Sequence, residues 1–494
     1  MKSPVDDVRL ALERHPGPGG PSYPPVSAAP YAPSEVYPEF PALAPGADTP
    51  PNPVFGMVRG VLAGLGLDAG HFGTPEWNPL GDFVEPGAKI AVKPNWVLHR
   101  NENLSGGMDC MVTHPSVLRA VLEYVFLAQP SLVTLGDAPL QGCDFDALLD
   151  HAGMRAVIGE FRARGLPLAV TDYRRTTMHQ EGMLKTGVSE NRRPESEYVL
   201  VDLGGDSLLE EIAGDWKKFR VTVYDPRKMW PHHSPGRHRY LVAREIMEAD
   251  LVVNCPKLKT HKKAGVTCCL KNLVGINGNK EYLPHHRKGA ADNGTGDNYS
   301  RAHWKMSLAE DLLDFANEHL RGLPRAYRLA ERIAWRFMVK HRRQDPEAQL
   351  EGSWHGNDTI WRTCLDLNRA LLYAGTDGRL HDEPQRQVLS IVDAVIAGQG
   401  TGPLEPDPLP TGAIFATRNP AAGDLLACAL LGFRPESIRL VDRAFGSMRW
   451  PIASARPDLS RWPPGSFPAA RAPAGWVGHI ELETSHESVD FRRN

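Results

Sequence analysis

Four short apolar runs in this chain each stop at a polar cluster, and that repetition limits the fold more than any other feature. Ile90-Ala-Val92 ends in Lys93-Pro94-Asn95, and Leu132-Val-Thr-Leu135 ends in Gly136-Asp137. Leu251-Val-Val253 ends in Asn254, and Leu389-Ser-Ile-Val392 ends in Asp393. Between the first two runs, Thr113-His-Pro115 opens a segment with Val117, Leu118, Val121, Leu122, Val125 and Phe126 at helical spacing. Pro115 suits a first helical turn, where its missing N–H costs nothing. Strand, helix, strand at this distance is a βαβ unit, which implies a parallel sheet. Ala413-Ile-Phe-Ala416 reads as one more buried strand. The expected fold is α/β, a mostly parallel sheet flanked by helices. In open parallel sheets ligands bind beyond the carboxyl ends of the strands, so the four polar ends predict one composite site.

Around this core the expected organisation is a Pro-rich N-terminal arm over 1–55, a first α/β part over 56–302, a helical insertion over 303–350, and a second α/β part with the tail over 351–494. Residues 15–54 are dominated by Pro, Ala, Gly and Ser, which gives an extended arm or linker. Tyr23, Tyr31, Tyr37 and Phe40 interrupt those prolines and suggest an arm laid against the body. In the insertion, Arg325, Arg328, Arg332, Arg336, Lys340, Arg342 and Arg343 oppose the acid Glu331. With Leu329, Ile333, Trp335, Phe337 and Met338 they make a basic amphipathic helix. The polar stretches 174–197 and 286–302 read as loops or lids.

A formal charge of -3 and a pI near 6.7 give no overall pull toward nucleic acid, and no nucleic-acid partner is expected. The seven cysteines (Cys110, Cys143, Cys255, Cys268, Cys269, Cys364, Cys428) form no C-x-x-C pair. That excludes a disulfide framework, a zinc ribbon and a ferredoxin box, and fits free thiols in a reducing compartment. Adjacent Cys268 and Cys269 would point to opposite faces of a strand. The N-terminus lacks the apolar core of a signal peptide, and no stretch approaches the roughly 18 apolar residues of a spanning helix. A cytoplasmic protein is expected, with peripheral membrane contact through the basic helix left open.

The densest chemical signal is Asn254 to Lys280, which gathers Lys257, Lys259, Lys262, Lys263, Lys271 and Lys280 around His261, with Asn254, Thr260, Thr267 and Asn272. Pro256 is expected to take the chain out of sheet pairing and leave Lys257 and Lys259 on a loop. Ammonium groups, amides and the turn Gly275-Ile-Asn-Gly278 are the components of an anion or phosphate cradle. A single lysine here reads first as a solvated surface charge; the whole cluster after a buried strand favours a site. His261 suits a general acid or base near neutral pH, a metal ligand, or a hydrogen-bonded structural role. Neighbouring lysines would lower its pKa.

Asp137 and Asp393, at strand ends, can hold Mg²⁺ beside substrate phosphates, or serve as caps. His285 follows the basic cluster and is a further metal candidate; His285-His286 and His232-His233 otherwise read as loop histidines. Gly398-Gln-Gly400-Thr-Gly-Pro403 could let a backbone approach a ligand closely. Arg362, Asp366 and Arg369 share helical spacing and form one polar stripe, read as a surface ion-pair ladder; the sharper reading puts Asn357 and Arg362 at the site rim. Walker A, G-x-G-x-x-G and G-x-S-x-G sequences are absent.

Lys93-Pro-Asn95, Thr113-His-Pro115, Gly136-Asp137, Pro256-Lys-Leu-Lys-Thr-His261, Lys271-Asn-Leu-Val-Gly275 and Asp393 followed by Gly400-Thr-Gly-Pro403 stand in this order. In that order they resemble domain-of-unknown-function family 362, over about residues 88 to 435. The resemblance implies an α/β domain. Many members are described as iron–sulfur proteins because they carry appended ferredoxin-like cysteine boxes; this chain has no iron–sulfur motif.

Three readings follow. One is an enzyme acting on an anionic small molecule, phosphorylated or nucleotide-linked, and held by Lys93, Lys257, Lys259, Lys271 and Gly400. Asn95, Asn254, Thr267 and Asn272 would orient it, with His261, Asp137 and Asp393 as catalytic groups and Mg²⁺ as a companion. The second is a redox protein using a borrowed flavin, cluster or partner through Cys268 or Cys269. The third is a non-catalytic binding protein docked by the basic helix.

Overall fold

Apolar residues that alternate in sequence divide between two cores in space. Leu251 and Val253 enter one and Val252 the other; Leu389 and Ile391 face Val388 and Val392 in the same way. A strand buried on both faces requires this, because successive side chains point to opposite sides. The computed structural model describes residues 3–15, 20–46, 48–181, 184–189, 193–221, 224–320, 322–344, 349–463 and 465–482.

Ten strands form the main sheet. They are β1 (Leu10–Arg14), β2 (Lys89–Pro94), β3 (Leu132–Asp137), β4 (Leu168–Asp172), β5 (Leu251–Cys255), β6 (Lys257–His261), β7 (Gly265–Thr267), β8 (Gln387–Thr401), β9 (Glu405–Leu409) and β10 (Ala413–Thr417). The order is β1-β10-β8-β5-β2-β3-β4, with β6 and β9 paired to β8 and β7 to β6. From β8 to β4 the strands are parallel, and β10 and β1 extend that sheet antiparallel. The fold is the expected α/β class. Leu10–Arg14, within the stretch assigned to the arm, is an edge strand.

Helices α1 (Pro53–Gly64), α2 (Pro115–Leu127) and α3 (Met154–Ala163) cover one face. The other carries the short α4 (Cys269–Asn272). The insertion forms α5 (Trp304–His319) and α6 (Pro324–Gln344), packed together through Met306, Ala309, Ala334 and Met338. The helices α7 (Ile360–Tyr373) and α8 (Pro420–Leu431) complete the second face. Proline opens α2 as expected, and the His114 ring caps it by accepting from Ser116 N at 3.2 Å. The aromatic residues of the arm do lie on the body: Phe40 meets Tyr124 at 5.0 Å and Tyr37 stacks on Phe55 at 5.4 Å. No helix among the described residues is long and apolar enough to cross a membrane.

Several local expectations are corrected. Lys257 and Lys259 are not on a loop, because β6 resumes directly after Pro256 and pairs with β8. Proline, which lacks only a donor, is tolerated at that junction since its carbonyl accepts Asp393 N at 2.9 Å. Strand β8 does not stop at Asp393 but runs on through the glycine-rich stretch to Thr401. Its close approaches are to neighbouring strands and loops: a Cβ on Gly398 would lie 2.6 Å from Cys110 O and 2.7 Å from Lys259 Cβ. Part of 174–197 is a hairpin, Thr177–Glu181 with Leu184–Ser189. Arg362, Asp366 and Arg369 are neither a surface ladder nor a rim of the cavity described below. All are buried in α7, with Asp366 taking Arg369 at 2.9 Å and Tyr240 at 3.1 Å.

Candidate active site

The four polar strand ends meet because β3, β2, β5 and β8 are neighbours in the sheet. Lys93 Nζ reaches Asp137 Oδ1 at 2.9 Å across β2 and β3. It also donates to Pro94 O at 2.7 Å and Asn272 Oδ1 at 3.2 Å. Trp96 N donates to the other Asp137 oxygen at 2.7 Å. Burial pushes the Asp137 carboxyl up and the Lys93 ammonium down, each opposed by the charge of the other. Gly275 packs directly on this pair, where a Cβ would overlap Asp137 Oδ1 and lie 2.8 Å from Lys93 Nζ.

A chain of amides extends the network. Asn272 donates to Asn254 Oδ1 at 2.8 Å and accepts from Asn95 Nδ2 at 2.8 Å. Asn95 Oδ1 in turn accepts from Lys259 Nζ at 2.7 Å, and Lys259 also donates to Met111 O. Burial is the main reason that Lys259 is pushed down to about 7.

The expected single composite site is divided. Asp393 takes Lys257 Nζ at 2.7 Å, Tyr23 Oη at 2.5 Å and His114 N at 2.9 Å. Tyr23 comes from the N-terminal arm and stacks on His114 with centroids 3.9 Å apart. The arm thus seals the Asp393 end, and neither Lys257 nor Asp393 lines the cavity that remains.

That cavity, about 280 Å³, opens beside the ends of β2 and β3. Asn95, Asp137, Lys259, His261, Thr267, Lys271, Asn272 and His285 line it, as do Gln141, Lys280, Pro403 and Leu404. His261 Nδ1 accepts from Lys263 N at 3.1 Å and Ala264 N at 3.2 Å, so its proton sits on Nε2. His285 is the reverse: Nδ1 faces Leu283 O at 2.6 Å and must donate, which leaves Nε2 bare. Burial first, and then the nearby lysines, hold both rings well below the ordinary histidine pKa and therefore neutral. One cavity thus carries a neutral imidazole donor and a neutral imidazole acceptor.

Charge and unmet polarity face the same space. Lys271 Nζ has no hydrogen-bond or ion-pair partner among the described residues. Thr267 Oγ1 and Gln141 Oε1 are buried and unpartnered. Lys280 Nζ donates to Ala138 O at 3.1 Å and burial pushes it down to about 8. Buried polar atoms without partners are costly, so this lining suits a ligand that supplies acceptors and donors.

Of the residues selected from sequence, Lys93 lies behind the lining and Asn254 is consumed by the amide chain, donating to Cys269 O at 3.1 Å. Gly400 holds the β8–β9 pairing and accepts Thr260 Oγ1 at 2.8 Å. Among metal candidates, Asp137 and Asp393 each hold a lysine, and His285 joins neither in a ligand cluster. Among the described residues the one group with metal-ligand spacing is Cys268, Cys269 and Asp424. Cys268 and Cys269 are not on opposite faces of a strand: they start α4 with sulfurs 3.7 Å apart, fully buried. Burial pushes the Cys268 thiol up. Sequence reasoning missed Gln141 and Tyr23. Gln141 sits four residues past Asp137 on a strand-to-helix loop, a position the carboxyl-end rule could have flagged.

The chain matches the family described as Domain of unknown function (DUF362) over residues 90–192 and 187–429. It is 24% identical over 196 residues to a thylakoid-associated protein of Synechocystis, covering 40% of this chain and 41% of that protein. The chain thus matches about two fifths of the length of that curated relative. No solved structure matches it. The chain belongs to the DUF362 family.

Proposed function

Starting from that membership, we propose that the protein is an enzyme that binds an anionic small molecule, phosphorylated or nucleotide-linked, and moves a proton on it. The observation that carries this reading is the pair of neutral imidazoles of opposite tautomer, His261 and His285, on a cavity that also holds the unpaired Lys271 ammonium. Lys271 and Lys259 hold the ligand's charge, as fixed cations do for developing anions. Asn95, Asn272 and Thr267 orient it. His285 takes the ligand's proton at its bare Nε2 and returns it, while His261 keeps its own proton and steadies the developing negative charge by a hydrogen bond from Nε2. Mg²⁺ would enter as a companion of the ligand's phosphates, since Asp137 and Asp393 are both engaged by lysines.

Thermal unfolding across nucleotides, sugar nucleotides and sugar phosphates, with and without Mg²⁺, tests this reading. A ligand at a hundred times its dissociation constant stabilises by about 2.7 kcal/mol. A hit that persists undiminished in Lys271→Met would refute the assignment.

A second reading has its own observation. Arg325, Leu329, Arg332, Ile333 and Arg336 are exposed along one stripe of α6, the pattern of a helix that lies on an anionic lipid surface. The Synechocystis relative's name, thylakoid-associated protein, agrees with it. Pelleting with anionic vesicles at low salt tests it, and an Ile333→Asp/Leu329→Asp variant should stay in the supernatant.

A further inference from the structure

We propose that Cys268, Cys269 and Asp424 form a structural zinc site that anchors α4 beneath the cavity. Their ligand atoms all lie within 4.8 Å of one another, and the two sulfurs are 3.7 Å apart. Two thiolates on one tetrahedral zinc, with Zn–S near 2.3 Å, stand about 3.8 Å apart. A disulfide would need about 2.05 Å. The spacing therefore suits a shared metal.

The carboxylate gives the second, independent observation. Asp424 lies on α8, is fully buried, and faces no cation. One oxygen accepts Leu270 N at 3.1 Å, while Oδ2 has no hydrogen-bond partner, and both sulfurs lie within 4.8 Å of a carboxylate oxygen. A buried carboxyl must take up a proton or meet a cation. The sulfur side is shaped as well: a Cβ on Gly423 would lie 2.5 Å from Cys269 Sγ, so glycine lets the sulfur sit against the helix backbone. Two thiolates and one carboxylate are a donor set for a borderline-soft d¹⁰ ion. Cys428 and Cys364 are further buried thiols close enough to feel the Asp424 charge, and one of them or a water would complete the set.

The consequence is positional. Helix α4 has only Cys269–Asn272, yet it carries Lys271 and Asn272 into the cavity. So short a helix has little stability of its own, and a metal at its first turn would fix the direction of both side chains. Binding would displace the protons of two thiols and of the carboxyl where it is protonated, so loading should release protons. Because the ligands are buried, the ion would enter as the chain folds.

The test is metal analysis of the full chain, as isolated and after refolding with zinc, beside Cys269→Ser, Asp424→Asn and the remote control Cys143→Ser. The expected result is about one zinc per chain in wild type and in the control, and a loss of most of it in the other two. Asp424→Asn keeps the acceptor for Leu270 N and guards against simple misfolding. Refolding wild type with Co²⁺ needs no variant and should give thiolate-to-cobalt charge-transfer absorption. The proposal fails if wild type refolded with zinc holds none, if zinc is undiminished in Asp424→Asn and Cys269→Ser, or if the native mass is about 2 Da low, marking a Cys268–Cys269 disulfide.

Discussion

Lys93 and Asp137 meet at 2.9 Å on neighbouring parallel strands, and neither side chain is more than 4% exposed. The pair organises everything above it: Trp96 N, Asn272 and Gly275 are all placed by contact with one or the other. Removing one partner leaves a buried charge alone. Asp137→Ala should therefore cost about 3–5 kcal/mol in urea unfolding. The double variant Lys93→Met/Asp137→Leu should recover most of that loss. If the single variant costs less than about 1 kcal/mol, the pair does not hold the strand ends together.

Gly275→Ala tests the same junction from above. The new Cβ has to displace Asp137 Oδ1, which is itself held by Lys93 and Trp96. Overpacking of this kind costs about 1–3 kcal/mol, and the unfolding midpoint should fall accordingly. An unchanged midpoint would mean that the loop can lift away from the pair.

Lys259 gives the pH dependence a definite sign. Its ammonium is pushed down to about 7, below its unfolded value, so the charged form is disfavoured in the native state. The stability linked to it is therefore lowest below about pH 7 and recovers as the pH rises toward about 10. Anion binding runs the other way, because it uses the ammonium. Affinity should fall by up to about tenfold per pH unit above pH 7, and Lys259→Met should flatten the profile. Calorimetry between about pH 6 and about pH 9 measures both effects.

Tyr23 separates the two halves of the strand-end cluster. Tyr23→Phe loses the bond to Asp393 Oδ1 and the one accepted from Lys257. The expected cost is about 1.5–3 kcal/mol in stability, as for hydrogen bonds to charged groups. Ligand affinity in the cavity should change little, since Tyr23 lines another part of the surface. A large loss of affinity in that variant would show that the Asp393 cluster belongs to the binding site.

The alternation of buried strands and the helical spacing after Pro115 made the sheet and its βαβ unit legible, because those patterns follow from local geometry. The same patterns brought Lys93, Asp137, Asn254 and Asp393 to adjacent strand ends. What sequence could not show was which charges find partners. Asp393 reads like Asp137 in sequence, yet a tyrosine from the arm some 370 positions away covers it. Histidine tautomers were equally hidden, since they depend on the backbone groups that meet Nδ1 of His261 and of His285. Arg362, Asp366 and Arg369 looked like a surface stripe because helical spacing does not say which face is buried. Pro256 misled in another way: it lacks a donor, but its carbonyl still ties the β5–β6 junction to β8 by accepting Asp393 N.

Lys271 is the free charge in the cavity, and an anion bound there must meet it. Calorimetric titration of the best-stabilising anion into wild type and into Lys271→Met, near pH 6.5, measures that role. The prediction is a single site whose affinity falls at least about tenfold in the variant, with the folded state unchanged by circular dichroism. Equal affinity in both proteins would contradict the placement of the anion site in this cavity.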